Sequence, residues 1–303
     1  MNIQLIAKKH KSFTRTIRNK FVAKVGPKTS HYFVTQQVNR MVKLMDMWVR
    51  DRVENGATDA FRKEQEETIK GLPRNREAAI SDSMFEAINK RAVNMLLLDR
   101  GVGLVYKLRE VTEGIRKQVR TILAQARLLK DMSRLAQESP GEDKSAIVAD
   151  VANFGRIGNV PVEVYVETLL RTKTAQLRTL ARRNIWLRYG YHLVQIKNVR
   201  SEKSTPCHLY IGMVFALSRT AAEEYGVPHI STLPSGGAPL HPNCRHEEIL
   251  FTGRVPSAVP PDWSMNTKWN SVKKIYNSLG AEDFVGTVNP NFRHAENRNK
   301  HKR

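Results

Sequence analysis

The sequence predicts an α+β protein, with a mostly helical amino-terminal half followed by a small mixed module closed by a Cys/His knuckle. Three observations carry that expectation. Apolar residues recur at threes and fours over most of residues 35–129, the spacing of one buried helix face. A second long helical pattern, Pro161 to Tyr189, is followed by β-branched runs at Tyr191–Val199 and Gly212–Leu217, which read as strands. Both cysteines, Cys207 and Cys244, fall in this later region, with His208, His241 and His246 beside them.

Residues 1–30 read as a basic arm. They interleave lysine and arginine with Phe13, Ile17 and Phe21, an amphipathic helix once docked but marginal alone, and Gly26-Pro27 stops it. The arm is expected to be dispensable for folding. Residues 31–140 form a helical domain. Its first helix starts near Thr35, with Val38, Met41, Val42, Met45 and Val49 on one side, and is expected to stop at Asn55-Gly56. After a break at Gly71–Arg74, Ser81-Asp82-Ser83 offers an N-cap for a helix through Phe85, Ile88, Val93, Leu96 and Leu97.

The longest regular segment carries Leu104, Leu108, Val111, Ile115, Val119, Ile122, Ala126 and Leu129 in a near-heptad seam, with charged residues outside it. It implies a helix packed on a partner helix, in this chain or in another. Gln137–Asp143 is polar and marks the domain boundary.

The module at 145–253 begins with a helix that places Pro161 in its first turn and ends at Gly190; Arg171 and Gln176 on it are read as solvated or bonded to the adjoining strand. A polar turn over Arg200–Pro206 leads to Cys207-His208 and the second strand. The loop Pro234-Ser235-Gly236-Gly237-Ala238-Pro239 precedes His241-Pro242-Asn243-Cys244-Arg245-His246 and an apolar exit, Ile249-Leu250-Phe251. The last part, 254–303, reads as an extended proline-bearing segment, then Trp263 and Trp269, a short helix through Val272, Ile275, Tyr276 and Leu279, and a basic tail.

The ordered pieces of 161–251 resemble the Mu F-like minor head proteins, or head morphogenesis proteins, of tailed bacteriophages. Arg171-Thr172 matches the start of that family's helix motif, Cys207 its second cysteine, Gly212 the glycine before the apolar strand, and Pro239, His241, Pro242, Cys244 and Arg245 its closing motif. Lys173 stands where the family has an acid, and Ser204 and His246 stand where it has cysteines. The resemblance implies a non-enzymatic minor capsid protein of the virion head, present in the host cytoplasm during assembly, with the portal protein and the major capsid protein as partners.

Cys207, His241, Cys244 and His246 make a candidate zinc set, since zinc accepts two thiolates and two imidazoles in a tetrahedron. The alternative is a pair of small buried thiols with turn-bonding histidines. The competing functional class is a DNA-binding or DNA-cleaving enzyme using the same cluster. Against it, no acidic pair is placed for a metal-nuclease site, and no nucleophile elbow or phosphate loop accompanies the cysteines.

The formal charge is +21, from 50 basic and 29 acidic residues, which suggests a polyanion or an acidic protein as neighbour. The distribution sharpens this. The first 45 residues hold Lys8, Lys9, Lys11, Arg15, Arg18, Lys20, Lys24, Lys28, Arg40 and Lys43 and no acid at all. The first eight of these are the candidate contacts to double-stranded DNA or to an acidic partner. No apolar run approaches the ~20 residues of a membrane helix.

Overall fold

The computed structural model describes residues 2–25, 30–72, 77–100, 103–135, 150, 152–197, 210–240 and 244–253. Elements follow in the order α1 (Ile3–Lys20), α2 (His31–Lys70), α3 (Asp82–Leu98), α4 (Leu104–Leu135), β1 (Arg156–Ile157), β2 (Val160–Pro161), α5 (Val162–Arg188), β3 (Leu193–Lys197), β4 (Val214–Ala216), α6 (Arg219–Tyr225) and β5 (Glu247–Leu250). The order is helical first and mixed after, as expected. The chain divides into two compact units. Unit 1 is Met1–Gly56 with Gly103–Leu170, and unit 2 is Ala57–Val102 with Arg171–Arg303. The linker expected at 137–143 and the carboxy-terminal tail lie outside the described residues.

In unit 1 the seam of α4 is buried as its spacing requires: Leu104, Leu108, Val111, Ile115, Val119, Ile122 and Ala126 all lie inside. On α2, Val38, Val42, Met45 and Val49 are buried on one face. The helix does not stop at Asn55-Gly56 but continues to Lys70. Burial of Val53, Ala57 and Phe61 across that point outweighs the ~1 kcal/mol that an interior glycine costs. Arg50–Glu54 at 2.7 Å and Asn55 Nδ2 donating to Asp51 Oδ1 at 3.0 Å also bridge the approach to it.

The first residues are a packed helix rather than a separable arm. Asn2 caps α1 by accepting from the Leu5 amide at 2.9 Å, and Ile6, Ala7, His10, Phe13, Thr14 and Ile17 are buried. The turn at Gly155 fits closely against this helix. Gly155 has φ +85°, and a Cβ there would stand 2.6 Å from Thr14 Cγ2. Gln118 on α4 fastens the same turn with both ends of its amide, accepting from Gly155 N at 3.0 Å and donating to Arg156 O at 2.7 Å. The two-residue β1–β2 hairpin that follows was not foreseen; Pro161 is its last residue and α5 starts one position later.

His10 is the costly member of this core. It is 1% exposed and its Nε2 has no hydrogen-bond partner, and burial alone lowers its pKa from 6.5 to about 4. A lowered folded-state pKa means that the unfolded chain binds the proton first as pH falls. The contribution of neutral His10 is therefore intact above pH 6.5 and is lost progressively between pH 6.5 and 4, by roughly 3 kcal/mol in all. Urea titrations at pH 7 and pH 4.5 should show this loss in the wild type. His10→Leu should reduce it by about that amount.

In unit 2, α5 ends as its sequence predicts. Gly190 takes φ +74°, and the Tyr191 amide returns to the Trp186 carbonyl at 2.8 Å. Three antiparallel strands follow in the spatial order β4-β3-β5. Side-chain alternation sorts the sheet. Val194, Ile196 and Phe215 join Trp186, Tyr210, Ile230, Leu233 and Leu240 in one cluster, while Leu193, Val214 and Ala216 meet Ala221 and Val227 in another. The apolar exit of the sequence is thus a strand, pairing Ile249 with Gln195 and Leu250 with Val194.

Candidate functional site

Helix α1 carries the candidate contact face. Its buried positions, Ile6, Ala7, His10, Phe13, Thr14 and Ile17, recur at threes and fours, which turns the opposite side to solvent. All seven described candidates, Lys8, Lys9, Lys11, Arg15, Arg18, Lys20 and Lys24, are exposed; Lys28 lies outside the described residues. Lys8, Lys11, Arg15 and Arg18 follow one another at steps of three, four and three, which aligns them in one row about 15 Å long at 1.5 Å per residue.

Within that row Lys11 lies 3.3 Å from Glu163, and the other three have no ion-pair partner among the described residues. Lys9 leaves the row on the other flank and sits 5.6 Å over the Trp48 ring. The helix itself contains no acidic residue. A row of exposed cations on a rigid helix, held by a buried apolar face, can neutralise a line of phosphates or carboxylates without ordering a flexible arm.

The Cys/His set is described only in part. Cys207 and His241 lie outside the described residues, as does His208. Cys244 and His246 come together, with Sγ 3.5 Å from Nδ1, and His246 is buried. No Cys/His knuckle is seen among the described residues, and none of their side chains forms a group of three or more metal donors. Cys244 and His246 are two neighbouring donors where a tetrahedral zinc takes four.

What organises this end of the chain is an ion pair that the sequence reading missed. Arg183 on α5 grips Glu248 on β5 with two nitrogens, Nε donating to Oε2 at 2.6 Å and Nη2 to Oε1. Nη2 also donates to the Gly236 carbonyl at 2.9 Å, and the Ala238 amide donates to Glu248 Oε1 at 2.7 Å. Glu248 is fully buried. Gly237, at φ +130°, has no room for a side chain, because a Cβ would collide with the guanidinium and with Glu248 Oε1. The Gly-Gly pair inside a loop and a glutamate beside the apolar Ile249-Leu250 were the signals available. The ion pair fixes the loop at 236–238 between α5 and β5.

Other polar groups are structural as well. His229 accepts from the Ser231 amide at 3.3 Å and lies 2.7 Å from Ser231 Oγ, capping a short helical turn at Ile230–Thr232. Burial lowers its pKa, against a backbone hydrogen bond with Leu217 that raises it. Of the two helix residues read as solvated or bonded to the adjoining strand, Arg171 is exposed and Gln176 is buried. Lys173, at the position where the resemblance expects an acid, is buried too. In unit 2 a cleft of about 670 Å³ is lined by Phe61, Gln65, Phe85, Asn89 and Arg188. The Asn89 side-chain Oδ1 there accepts from Gln65 Nε2 and from Asn184 Nδ2, each at 2.9 Å, and the Arg188 guanidinium covers the Phe85 ring at 4.5 Å.

No family model, no curated protein and no solved structure matched the chain. Among the described residues no helix is long and apolar enough to cross a membrane.

Proposed function

We propose that this chain is a minor component of a phage head, acting in head morphogenesis beside the portal protein and the major capsid protein and lying against packaged duplex DNA through α1. The observation that carries the DNA contact is the row Lys8, Lys11, Arg15 and Arg18, exposed on a helix without a single acid. The assignment to a head protein rests on the order Cys207, Gly212, Pro239, His241, Pro242, Cys244, Arg245. A head-lining component needs sequence-blind affinity, and phosphate contacts from lysine and arginine give that: they position a protein on a duplex without reading its bases.

The test is a comparison of duplexes. At low salt the purified chain should bind two unrelated duplexes of equal length with the same affinity, and plasmid incubated with it and Mg²⁺ or Zn²⁺ should stay intact. Absence of binding at low salt would remove the DNA contact. Strand cleavage lost in His241→Ala would replace the whole reading with that of a metal nuclease.

A further inference from the structure

A groove of about 350 Å³ runs between α1 and α2, on the opposite flank of α1 from the basic row. Its walls include Lys9, Phe13 and Thr16 from α1 and Met41, Leu44 and Trp48 from α2. Leu44 is 57% exposed, and Met47, three residues on along α2, is 59% exposed. Contiguous large apolar side chains left in water on a charged protein mark a contact surface. Methionine suits such a surface because its unbranched thioether adapts to the side chain it receives.

We propose that this groove receives an amphipathic helix of another protein, one whose apolar anchors are flanked by aspartate or glutamate. Three features select that occupant. Met41, Leu44 and Trp48 follow one another at helical spacing, so the apolar floor is a row that matches anchors at i, i+3 or i+4, and i+7 of a helix laid along it. The rim is mainly cationic: Lys9 stands over Trp48, Lys20 lies one turn beyond Thr16 on α1, and Arg40 lies one turn before Leu44 on α2, the last two exposed and without an ion-pair partner among the described residues, while the exposed acid Asp51, one turn past Trp48, accepts from Asn55. No acidic residue occurs before Asp46. A second copy of this chain would bring the same cations to the same rim, and like charges across an interface oppose docking. The floor is mainly aliphatic, with Lys9 already over its Trp48 ring, so it offers little on which nucleic-acid bases could stack. The surface is distinct from the proposed DNA-binding row and does not depend on it.

The experiment uses the full chain and three fluorescein-labelled peptides of about 18 residues, long enough to form helix in water. One has leucine at i, i+3, i+4 and i+7 with glutamate at most other positions. The second replaces glutamate by lysine, and the third replaces leucine by glutamine. The first should bind in the micromolar range, and the other two should bind at least about tenfold more weakly, because each lacks one half of the match.

Leu44→Gln should weaken the first peptide by about tenfold while leaving the circular dichroism spectrum and melting point unchanged, since the side chain is mostly in solvent. The combined Lys8→Gln, Lys11→Gln, Arg15→Gln, Arg18→Gln variant should lose DNA affinity yet keep peptide affinity within about threefold. No binding of the first peptide would overturn the proposal. So would affinity unaffected by Leu44→Gln, or complete displacement of the peptide by duplex DNA, which would make the two surfaces one.

Discussion

Replacing Glu248 by alanine is expected to destabilise unit 2 by about 3–5 kcal/mol, because Arg183 would keep its charge in a largely buried site without its partner. The arginine side chain is 16% exposed and the glutamate 0%, so solvent cannot replace the lost contacts. The Ala238 amide would lose its acceptor as well. Urea unfolding followed by Trp fluorescence gives the number. The exposed pair Arg50–Glu54, with 64% and 34% of its side chains in solvent, serves as the control, since Glu54→Ala there should cost no more than about 1 kcal/mol. Gly237→Ala should also be strongly destabilising, as its methyl group would enter the same ion pair.

Deleting residues 1–24 should abolish cooperative unfolding of unit 1. The deletion removes Ile6, Phe13 and Ile17 from a core in which they are almost fully buried, and each large apolar side chain lost from a core costs about 2–5 kcal/mol. The total is comparable to the ~5–15 kcal/mol margin of a typical domain, and the deletion also bares the face of α2 and the Gly155 turn against which α1 packs. Deleting residues 289–303 should leave the unfolding transition unchanged. The basic face of α1 must accordingly be tested by changing side chains at its surface, with the helix left in place.

This asymmetry shows what periodicity can and cannot convey. The seam of α4 was legible because its apolar residues repeat over several turns with charges between them, and every seam side chain from Leu104 to Ala126 is buried. The end of α5 was legible because Gly190 can take the positive φ that stops a helix. The extent of α2 was not: Asn55-Gly56 is a sound local stop, and only tertiary burial of Val53, Ala57 and Phe61 carries the helix through it.

Helix α1 was recognised as amphipathic, but composition alone could not tell a docked helix from a loose arm. The two differ in whether a complementary apolar face exists elsewhere in the chain. At the candidate sites the same limit applies. Charge placement on α1 was readable to the residue, whereas the Arg183–Glu248 pair joins positions 65 apart and leaves only a glycine pair and an unexpected glutamate as traces. Of the four-ligand Cys/His set, Cys244 and His246 lie side by side, while Cys207 and His241 lie outside the described residues.

The salt dependence of duplex binding tests the functional account most directly. Each phosphate neutralised releases condensed counterions and adds a log-log slope of about −0.9. The wild type and the variant carrying Lys8→Gln, Lys11→Gln, Arg15→Gln and Arg18→Gln should both fold, because all four side chains are exposed. The variant's slope should be shallower by about three to four units, with its indifference to sequence unchanged. Equal slopes for the two proteins would contradict the account, since they would place the DNA contact, if there is one, somewhere other than α1.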